Sequence, residues 1–196
     1  YTVRYYGSVA YEGTLMILME YCDKGSLRDI LDKREQVLSE DQISLVMHDL
    51  LMGLNLIHKK HRIVHRDIKA ANILLSNNIA KLSDFGISVN ISDPNQHVDV
   101  SGQLSAYWSA PEAINMESVT EKSDIWSLGI TALELIQGHP PLDNLPSLVA
   151  IMKIPQNPPP EAPENCSALF KDFVKQALNK DPECRPTAKE LLKHPF

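Results

Sequence analysis

The sequence predicts an α+β fold in which one mostly helical unit follows two β-strands. Residues 3–9 and 15–20 are rich in β-branched, aromatic and aliphatic side chains, a composition that is typical of strands. After Ser39, apolar residues recur at the spacing of an amphipathic helix. With 196 residues, the chain is long enough to bury one solid hydrophobic core.

Local signals justify the elements of the first half. Tyr11-Glu12-Gly13 predicts the turn between the strands, and Gly25-Ser26 precedes a short helix over residues 27–31. Residues 39–42 form a capping box that starts a long helix. The apolar face of this helix consists of Ile43, Val46, Leu50, Leu54 and Ile57. Short strands around tight loops are expected at residues 63–64, 73–75 and 80–82.

The second half begins with an irregular segment. Residues 87–109 show no periodicity and carry many Ser, Asp, Gln and Gly residues, which predicts an adjustable segment rather than a packed element. Pro140-Pro141 and residues 155–163 are expected to form loops. Helices are expected over residues 124–137, over residues 168–178 and from residue 188 to before residue 195, with caps at Ser123, Ser167 and Thr187.

Composition argues against several classes of protein. A net charge of −6 and a pI near 5.6 do not suit a nucleic-acid-binding protein, which usually presents a basic face. No apolar run reaches the length that spans a membrane, and the first residues resemble a strand rather than a signal peptide. The three cysteines are odd in number and widely spaced, which favours a reducing compartment and a cytoplasmic protein. For Cys22, a small buried side chain is favoured over a reactive thiol.

Three histidines, His58, His61 and His65, lie close enough in sequence for a metal site. No cysteine or HExxH context accompanies them, which makes metal binding the weaker interpretation. Because His58 and His61 stand among basic side chains, a solvated helix end explains both residues better.

The most informative stretch is His65-Arg66-Asp67-Ile68-Lys69-Ala70-Ala71-Asn72, which places an acid, a cation and an amide in one short loop. Asp84-Phe85-Gly86 adds a second carboxylate, and Ala110-Pro111-Glu112 follows. Phosphoryl transfer requires one carboxylate to receive a hydroxyl proton. It also requires a second carboxylate with an amide oxygen to hold magnesium, and a lysine to balance the moving phosphate. Each motif alone is weak, but their joint order indicates this chemistry.

On these motifs the chain resembles a eukaryotic Ser/Thr protein kinase domain, from residue 1 to residue 196. Within that family it is similar to the germinal-centre-kinase branch of the sterile-kinase group, in residues 3–8, 18–22, 68–75, 158–160, 172–176 and 194–196. The resemblance implies the protein-kinase fold, mainly its α-helical C-terminal lobe. Residues 1–22 would be the last two strands and the hinge of the N-terminal lobe. Residues 23–196 would be the catalytic lobe, with residues 84–112 as its activation segment.

The resemblance also implies a role for each motif residue. Asp67 would orient the substrate hydroxyl and accept its proton, and Lys69 would contact the γ-phosphate. Ser105 aligns with a threonine that bridges these two side chains in the family. Asn72 and Asp84 would bind Mg²⁺, a cation that prefers oxygen donors. The implied cofactors are ATP and Mg²⁺, and the implied partner is a protein substrate.

Nucleotide-binding residues are implied in and beside the hinge. Met19 resembles the gatekeeper, and Glu20 and Cys22 would present backbone groups to adenine. Leu74 would pack beneath the adenine ring. Since these roles need no special side chains, the sequence without the resemblance does not disclose them.

Regulation is implied for the activation segment. Ser101 falls where the branch carries its activating phosphothreonine, although Ser88, Ser92 and Ser105 are alternatives. Arg66 would hold the phosphate, because an arginine fork fits its charge and shape. An activating kinase or trans-autophosphorylation would add the phosphate.

Five further residues would support the site. His65 and Phe85 match two members of the hydrophobic spine that distinguishes active from inactive kinases. Glu112 and Arg185 resemble the ion pair that ties the activation segment to the helical lobe. Asp124 would brace the backbone of the catalytic loop from below.

Two departures from the family pattern bear on function. The glycine-rich phosphate loop, the strand lysine and the helix glutamate that pairs with this lysine are absent, so these residues alone are expected to be impaired as a catalyst. A fragment of a full kinase is the favoured explanation, and a truncated gene product is the alternative. At Leu104 the branch usually has glycine, so the peptide specificity of the family does not carry over directly.

The sequence leaves three functions to weigh. A Ser/Thr protein kinase is favoured by the ordered set Asp67, Lys69, Asn72 and Asp84. A non-catalytic kinase-like scaffold or truncated interaction module is the rival, because most of the front lobe is missing. A small-molecule phosphotransferase is disfavoured, because the resemblance assigns the pairing of a glutamate with Arg185 to peptide-binding kinases.

Overall fold

The computed structural model describes residues 1–34, 36–86, 88–90, 105–117 and 119–196. The predicted phosphorylation site Ser101, its alternative Ser92 and the departure at Leu104 lie outside the described residues. Within the described ranges the chain is an α+β structure with seven α-helices and three small antiparallel sheets. The mainly helical α+β fold that the sequence predicts is therefore confirmed.

The chain opens with an antiparallel hairpin of strands β1 (Tyr5–Tyr11) and β2 (Thr14–Met19). The turn residues Glu12 and Gly13 both have positive φ, 47° and 76°, which matches the right-handed twist of a two-residue hairpin. Both strands begin within two residues of their predicted positions. The apolar side chains of the hairpin are exposed, among them Tyr5, Tyr6, Leu15, Ile17 and Leu18.

Helices make up most of the remaining described structure. They are α1 (Leu27–Arg34), α2 (Glu40–Leu56), α3 (Pro111–Ile114), α4 (Glu121–Gln137), α5 (Ser147–Gln156), α6 (Ala168–Ala177) and α7 (Ala188–Leu191). Helix α4 lies at the centre, and every residue from 123 to 135 is buried. Helices α2 and α6 pack against α4 around one hydrophobic core. None of the helices within the described ranges combines the length and the apolar character that crossing a membrane requires.

Several helix ends follow the local signals. The Ser39 hydroxyl accepts a hydrogen bond from the Gln42 backbone N–H, and the Gln42 side chain accepts one from the Ser39 N–H, which completes the predicted capping box of α2. Thr187 closes a second capping box in front of α7, and Ser167 caps α6. Gly138 ends α4 with a φ of 87°, a conformation that glycine adopts without steric cost.

Two predictions for the second half are wrong. Thr120, not Ser123, caps α4, because Thr120 is extended and its hydroxyl accepts a hydrogen bond from the Lys122 N–H at 3.2 Å. Residues 155–156 belong to the unpredicted helix α5 rather than to a loop. Pro155 lies in the last turn of α5, where its missing N–H removes only one terminal hydrogen bond.

Two short strand pairings position the loops that carry the motifs. Strand β3 (Ile63–Val64) pairs with β6 (Val89–Asn90), and β4 (Ile73–Ser76) pairs with β5 (Ile79–Leu82). The motif loop thus leaves β3, passes one turn of 3-10 helix at residues 70–72 and enters β4. Strand β6 and a 3-10 turn at residues 106–108 lie inside the segment predicted to be irregular, which is therefore partly regular.

Candidate active site

The carboxylate of Asp67 is the centre of a closed hydrogen-bond network. Its Oδ1 accepts a hydrogen bond from the Ser105 hydroxyl at 2.6 Å, and its Oδ2 accepts one from Asn72 Nδ2 at 2.6 Å. The Lys69 ammonium lies 2.9 Å from both carboxylate oxygens and also donates to the Ser105 hydroxyl at 2.7 Å. The structure thus brings together four residues that the sequence predicted for catalysis, with the carboxylate charge balanced by a lysine.

The loop backbone holds Asn72 and Asp84 close to each other. Asn72 Nδ2 donates to the Asp67 backbone carbonyl at 2.9 Å, so its amide oxygen is the atom left to bind a cation. Ser83 donates through its N–H and its hydroxyl to the Asn72 carbonyl, at 3.0 and 2.9 Å. Asp84 follows directly, exposed and in a left-handed conformation with a φ of 60°. An amide oxygen and an exposed carboxylate, on residues whose backbones are linked through Ser83, are the kind of oxygen donors that a hard divalent cation such as Mg²⁺ prefers.

His65 links this loop to the segment after β5. Its ring is fully buried, with Nε2 2.9 Å from the Ser83 carbonyl and Nδ1 accepting from the Asp67 N–H at 3.3 Å. These roles fit the tautomer that carries its proton on Nε2. The Phe85 ring meets the His65 ring edge to face, with the centroids 4.7 Å apart. The two predicted spine residues are therefore in contact.

Asp124, near the start of α4, anchors the predicted catalytic loop, residues 65–72. Its Oδ2 accepts the His65 N–H at 2.8 Å, and its Oδ1 accepts the Arg66 N–H at 2.8 Å. Arg66 is held there with a φ of 72°, a left-handed conformation that is costly for a residue with a side chain. Burial alone would raise the pKa of Asp124, but the hydrogen bond from His58, the favourable electrostatic interaction with the His58 and His65 rings and the Arg66 N–H outweigh burial and lower this pKa.

His58 does not lie at a solvated helix end, contrary to the sequence prediction. It is buried in the π-helical turn of residues 57–61 that follows α2, and its Nε2 is 2.7 Å from Asp124 Oδ2. His61, in the same turn, stays exposed. Among the described residues, no group of three or more His, Cys, Asp or Glu side chains is placed to hold a metal ion.

A buried ion pair joins α3 to the turn before α7. Arg185 donates from Nη1 and Nη2 to the two Glu112 oxygens, at 2.7 and 3.1 Å. Arg185 also donates to the carbonyls of Lys122 and Asn179 and lies 5.2 Å from the centre of the Trp126 ring system. Since Arg185 is fully buried and Glu112 is 3% exposed, this pair fixes the end of the predicted activation segment to the helical core.

Sequence reasoning missed three polar residues of α4 that also hold the site. Glu134 Oε2 accepts the Ala70 N–H at 3.0 Å and the Trp108 indole N–H at 2.9 Å. The Ser127 hydroxyl donates to the Trp108 carbonyl at 2.8 Å, and the Thr131 hydroxyl lies 3.3 Å from the carbonyl of residue 68. With Asp124 they recur every three to four residues, so a polar stripe on a buried helix was the available signal.

The pKa of Glu134 is raised, because burial disfavours its charged form more than its neighbours compensate. The opposing contacts are the Ala70 N–H, the Trp108 indole and the Arg28 guanidinium, whose Nη1 is 3.5 Å from Glu134 Oε1. The Glu134 side chain is 1% exposed. Glu134 is therefore a buried acid that every contacting donor pulls toward its ionised form.

A cleft opens between the hairpin and the residues that follow β5. It is lined by Val3, Tyr5, Ile17, Met19, Ser83, Asp84, Phe85 and Gly86. Met19, which resembles the gatekeeper, and Asp84, for which the resemblance implies magnesium binding, thus line the same cleft. The remaining predicted nucleotide contacts, Glu20, Cys22 and Leu74, are not among the residues that line this cleft.

The residues predicted for and beside the hinge have partners of their own. The Glu20 carboxylate pairs with the Lys81 ammonium and accepts the Arg4 N–H, and these contacts lower the pKa of Glu20. Cys22 is buried, which raises the pKa of its thiol and favours the packing interpretation over a reactive thiol. Leu74 on β4 forms a bridge with Ser26, which places β4 beside the chain that follows Cys22.

Comparisons with known proteins agree with this geometry. A profile described as "Protein kinase domain" matches residues 1–196. The serine/threonine-protein kinase pakG of Dictyostelium discoideum is 45% identical over 202 residues, covering 99% of this chain and 17% of that protein. The serine/threonine-protein kinases cst-1 of Caenorhabditis elegans and hippo of Drosophila melanogaster are each 46% identical over 200 residues, covering all of this chain and 40% and 29% of those proteins. The chain thus spans well under half the length of these curated relatives.

Proposed function

Because the chain belongs to the protein kinase family, we propose that the protein is a serine/threonine kinase that transfers the γ-phosphoryl group of Mg-ATP to protein hydroxyls. The observation that carries this proposal is the set of hydrogen bonds to the Asp67 carboxylate. It accepts them from the Ser105 hydroxyl, the Lys69 ammonium and the Asn72 side-chain amide. The relatives pakG, cst-1 and hippo are each named as serine/threonine-protein kinases, which supports the same reaction.

Asp67 would orient the acceptor hydroxyl and take its proton. The Ser105 hydroxyl already donates to Asp67 Oδ1 at 2.6 Å, which shows that this oxygen accepts a hydrogen bond from an alcohol, as a general base must. The carboxylate is part-buried and fixed from both sides, by Asn72 and by Lys69. A base held this firmly loses little entropy when the substrate hydroxyl arrives.

Lys69 would balance the negative charge that moves during transfer. Its ammonium donates hydrogen bonds to both Asp67 and Ser105. A positive charge therefore lies beside the carboxylate that would accept the proton of the substrate hydroxyl. Asn72 and Asp84 are the residues that would hold Mg²⁺, which when bound neutralises charge on the phosphate oxygens. Asn72 keeps its amide oxygen available by using Nδ2 for Asp67.

The nucleotide would occupy the cleft that Met19, Asp84 and Phe85 line. Glu20 and Cys22 would contribute backbone groups, and Leu74 would pack against the base. Protein substrates and an activating kinase or trans-autophosphorylation at Ser101 belong to the same proposal. Ser101 lies outside the described residues, so the phosphate clamp with Arg66 stays a prediction.

Replacing Asp67 tests the proposal. In the full-length gene product, Asp67→Asn keeps the shape of the side chain but cannot accept a proton. We expect Mg-ATP-dependent labelling of a generic basic protein to fall by roughly 10²–10⁴-fold, with bound nucleotide retained in an equilibrium binding assay. The exposed carboxylate Asp143 provides the control, because it pairs with His139 at 3.2 Å rather than with the residues around Asp67.

The outcomes separate the functions that were weighed. Labelled serine and threonine in the wild-type reaction, lost in Asp67→Asn, supports the kinase. Unchanged labelling in Asp67→Asn would remove Asp67 as the base and refute the proposed mechanism. A wild-type protein that labels neither the basic protein nor itself would favour a scaffold, and labelling of an aminoglycoside alone would favour a small-molecule phosphotransferase.

A further inference from the structure

Glu134 is a buried acid whose contacts lie on two separate parts of the site. One oxygen, Oε2, accepts hydrogen bonds from the Ala70 N–H and from the Trp108 indole N–H, at 3.0 and 2.9 Å. Ala70 lies in the catalytic loop directly after Lys69. Trp108 closes a turn onto Ser105, because its N–H donates to the Ser105 carbonyl at 2.9 Å.

The two segments meet in the hydrogen-bond network of Asp67. The catalytic loop supplies Lys69, and the turn before α3 supplies the Ser105 hydroxyl, which is 2.7 Å from the Lys69 ammonium. These residues are 36 positions apart in the chain, so their alignment is not fixed by local backbone structure. A common attachment to α4 aligns them, through Glu134 for both segments and through Ser127 for the Trp108 carbonyl.

Stability alone does not account for a carboxylate at this position. Burying a charge is unfavourable unless the site repays it through hydrogen bonds and countercharge, and the nearest cation, Arg28 Nη1, stands at 3.5 Å from Oε1. Arg28 is also shared with Asp32 and with the Gly138 carbonyl. What the carboxylate provides is one oxygen that can accept two N–H donors from different directions.

We propose that Glu134 is a positioning residue for phosphoryl transfer, holding the loop of Lys69 in register with the turn of Ser105 through the Trp108 indole N–H. This inference rests on the proposed kinase function. If Glu134 positions the two segments, the hydrogen bond from the Trp108 indole N–H to Glu134 is required. If Trp108 serves only in packing, any large aromatic ring would suffice.

Two tryptophans allow a matched test. Trp108→Phe removes the indole N–H that Glu134 accepts and keeps an aromatic ring. Trp126→Phe makes the same change at a buried tryptophan of α4 whose indole N–H has no hydrogen-bond partner within the described ranges. In the full-length gene product, we expect Trp108→Phe to lower kcat roughly tenfold with the KM for Mg-ATP unchanged, because a charge-assisted hydrogen bond is lost. Trp126→Phe should change kcat less than about twofold, because no hydrogen bond is lost.

Glu134→Gln completes a double-mutant cycle. It keeps the size of the side chain but replaces the carboxylate with a weaker acceptor, and its kcat should fall at least as far as that of Trp108→Phe. Because both changes break one interaction, the double variant should be no slower than Glu134→Gln alone. Thermal unfolding of each variant checks that the fold is kept.

Each result decides the inference. A kcat for Trp108→Phe equal to that of Trp126→Phe, or losses that multiply in the double variant, would overturn it while leaving the kinase proposal intact. If Trp108→Phe raises the KM for Mg-ATP at unchanged kcat, the contact acts in nucleotide binding and the inference is wrong. A wild-type protein without phosphate transfer removes both proposals.

Discussion

The ion pair between Glu112 and Arg185 gives the sharpest prediction about stability. Arg185→Met keeps the length and apolar stem of the side chain but removes its charge and its donors. In the native structure those donors serve both Glu112 oxygens and the carbonyls of Lys122 and Asn179. After the substitution the Glu112 carboxylate stays buried, and the Ser123 hydroxyl at 2.9 Å is its remaining partner.

The geometry sets the size of the effect. Removing one partner of a buried pair leaves an uncompensated charge and costs about 3–5 kcal/mol. That loss is a large fraction of the roughly 5–15 kcal/mol by which proteins of ordinary size are stable. At a urea dependence of about 2 kcal/mol/M, the unfolding midpoint should fall by roughly 1.5–2.5 M.

Urea unfolding followed by circular dichroism measures the shift. Replacing an exposed lysine in the same region, Lys189→Met, is the control and should change the unfolding free energy by less than about 0.5 kcal/mol. The double variant Glu112→Gln/Arg185→Met should be more stable than the sum of the single losses predicts, because the buried charge is gone. A loss below about 1 kcal/mol for Arg185→Met, or strict additivity, would refute the reasoning.

Two further predictions concern α4. Because the folded pKa of Asp124 is lowered, its contribution is present above its unfolded pKa near 3.9 and is lost as the pH falls through the folded value. The difference in unfolding free energy between wild type and Asp124→Asn should therefore shrink below about pH 4; a difference that grows there would contradict the sign. Gly129→Ala would place its Cβ 2.8 Å from Leu178 Cδ2 and 2.9 Å from Ala177 Cβ. The overpacking cost of about 1–3 kcal/mol should outweigh the helix-propensity gain of about 1 kcal/mol, so calorimetry should show a lower melting temperature. A higher melting temperature would show that α6 can move aside.

Local sequence signals predicted the helix ends that are formed by contacts between residues close together in the chain. The capping boxes at Ser39 and Thr187 and the stop at Gly138 involve groups at most four residues apart, so the sequence contains both partners of each contact. The prediction that Ser123 caps α4 was wrong for a reason that lies outside the local sequence. Its hydroxyl suits a cap, but it donates to Glu112 at 2.9 Å across the core, and a tertiary partner overrode the local preference.

In the candidate site, too, short-range contacts were predicted and long-range contacts were not. The loop contacts among Asp67, Lys69 and Asn72 span at most five residues and follow from the motif. His58 was misread because its partner, Asp124, is 66 positions away. Glu134 and its two N–H donors were not predicted, because no motif marks a residue whose partners are 64 and 26 positions distant.

By itself, the sequence determined which reactive side chains the candidate site contains, namely the carboxylates, the amide and the lysine. It also determined where most of the surrounding helices begin and end. Only the tertiary structure decided which polar groups of α4 face the catalytic loop and the Ser105 turn. The reason is that α4 is buried on nearly every side, so its apolar residues occupy no single face, and its polar stripe does not reveal which elements contact it. Its orientation is fixed by packing against α2 and α6 and by buried polar groups that must each find a partner.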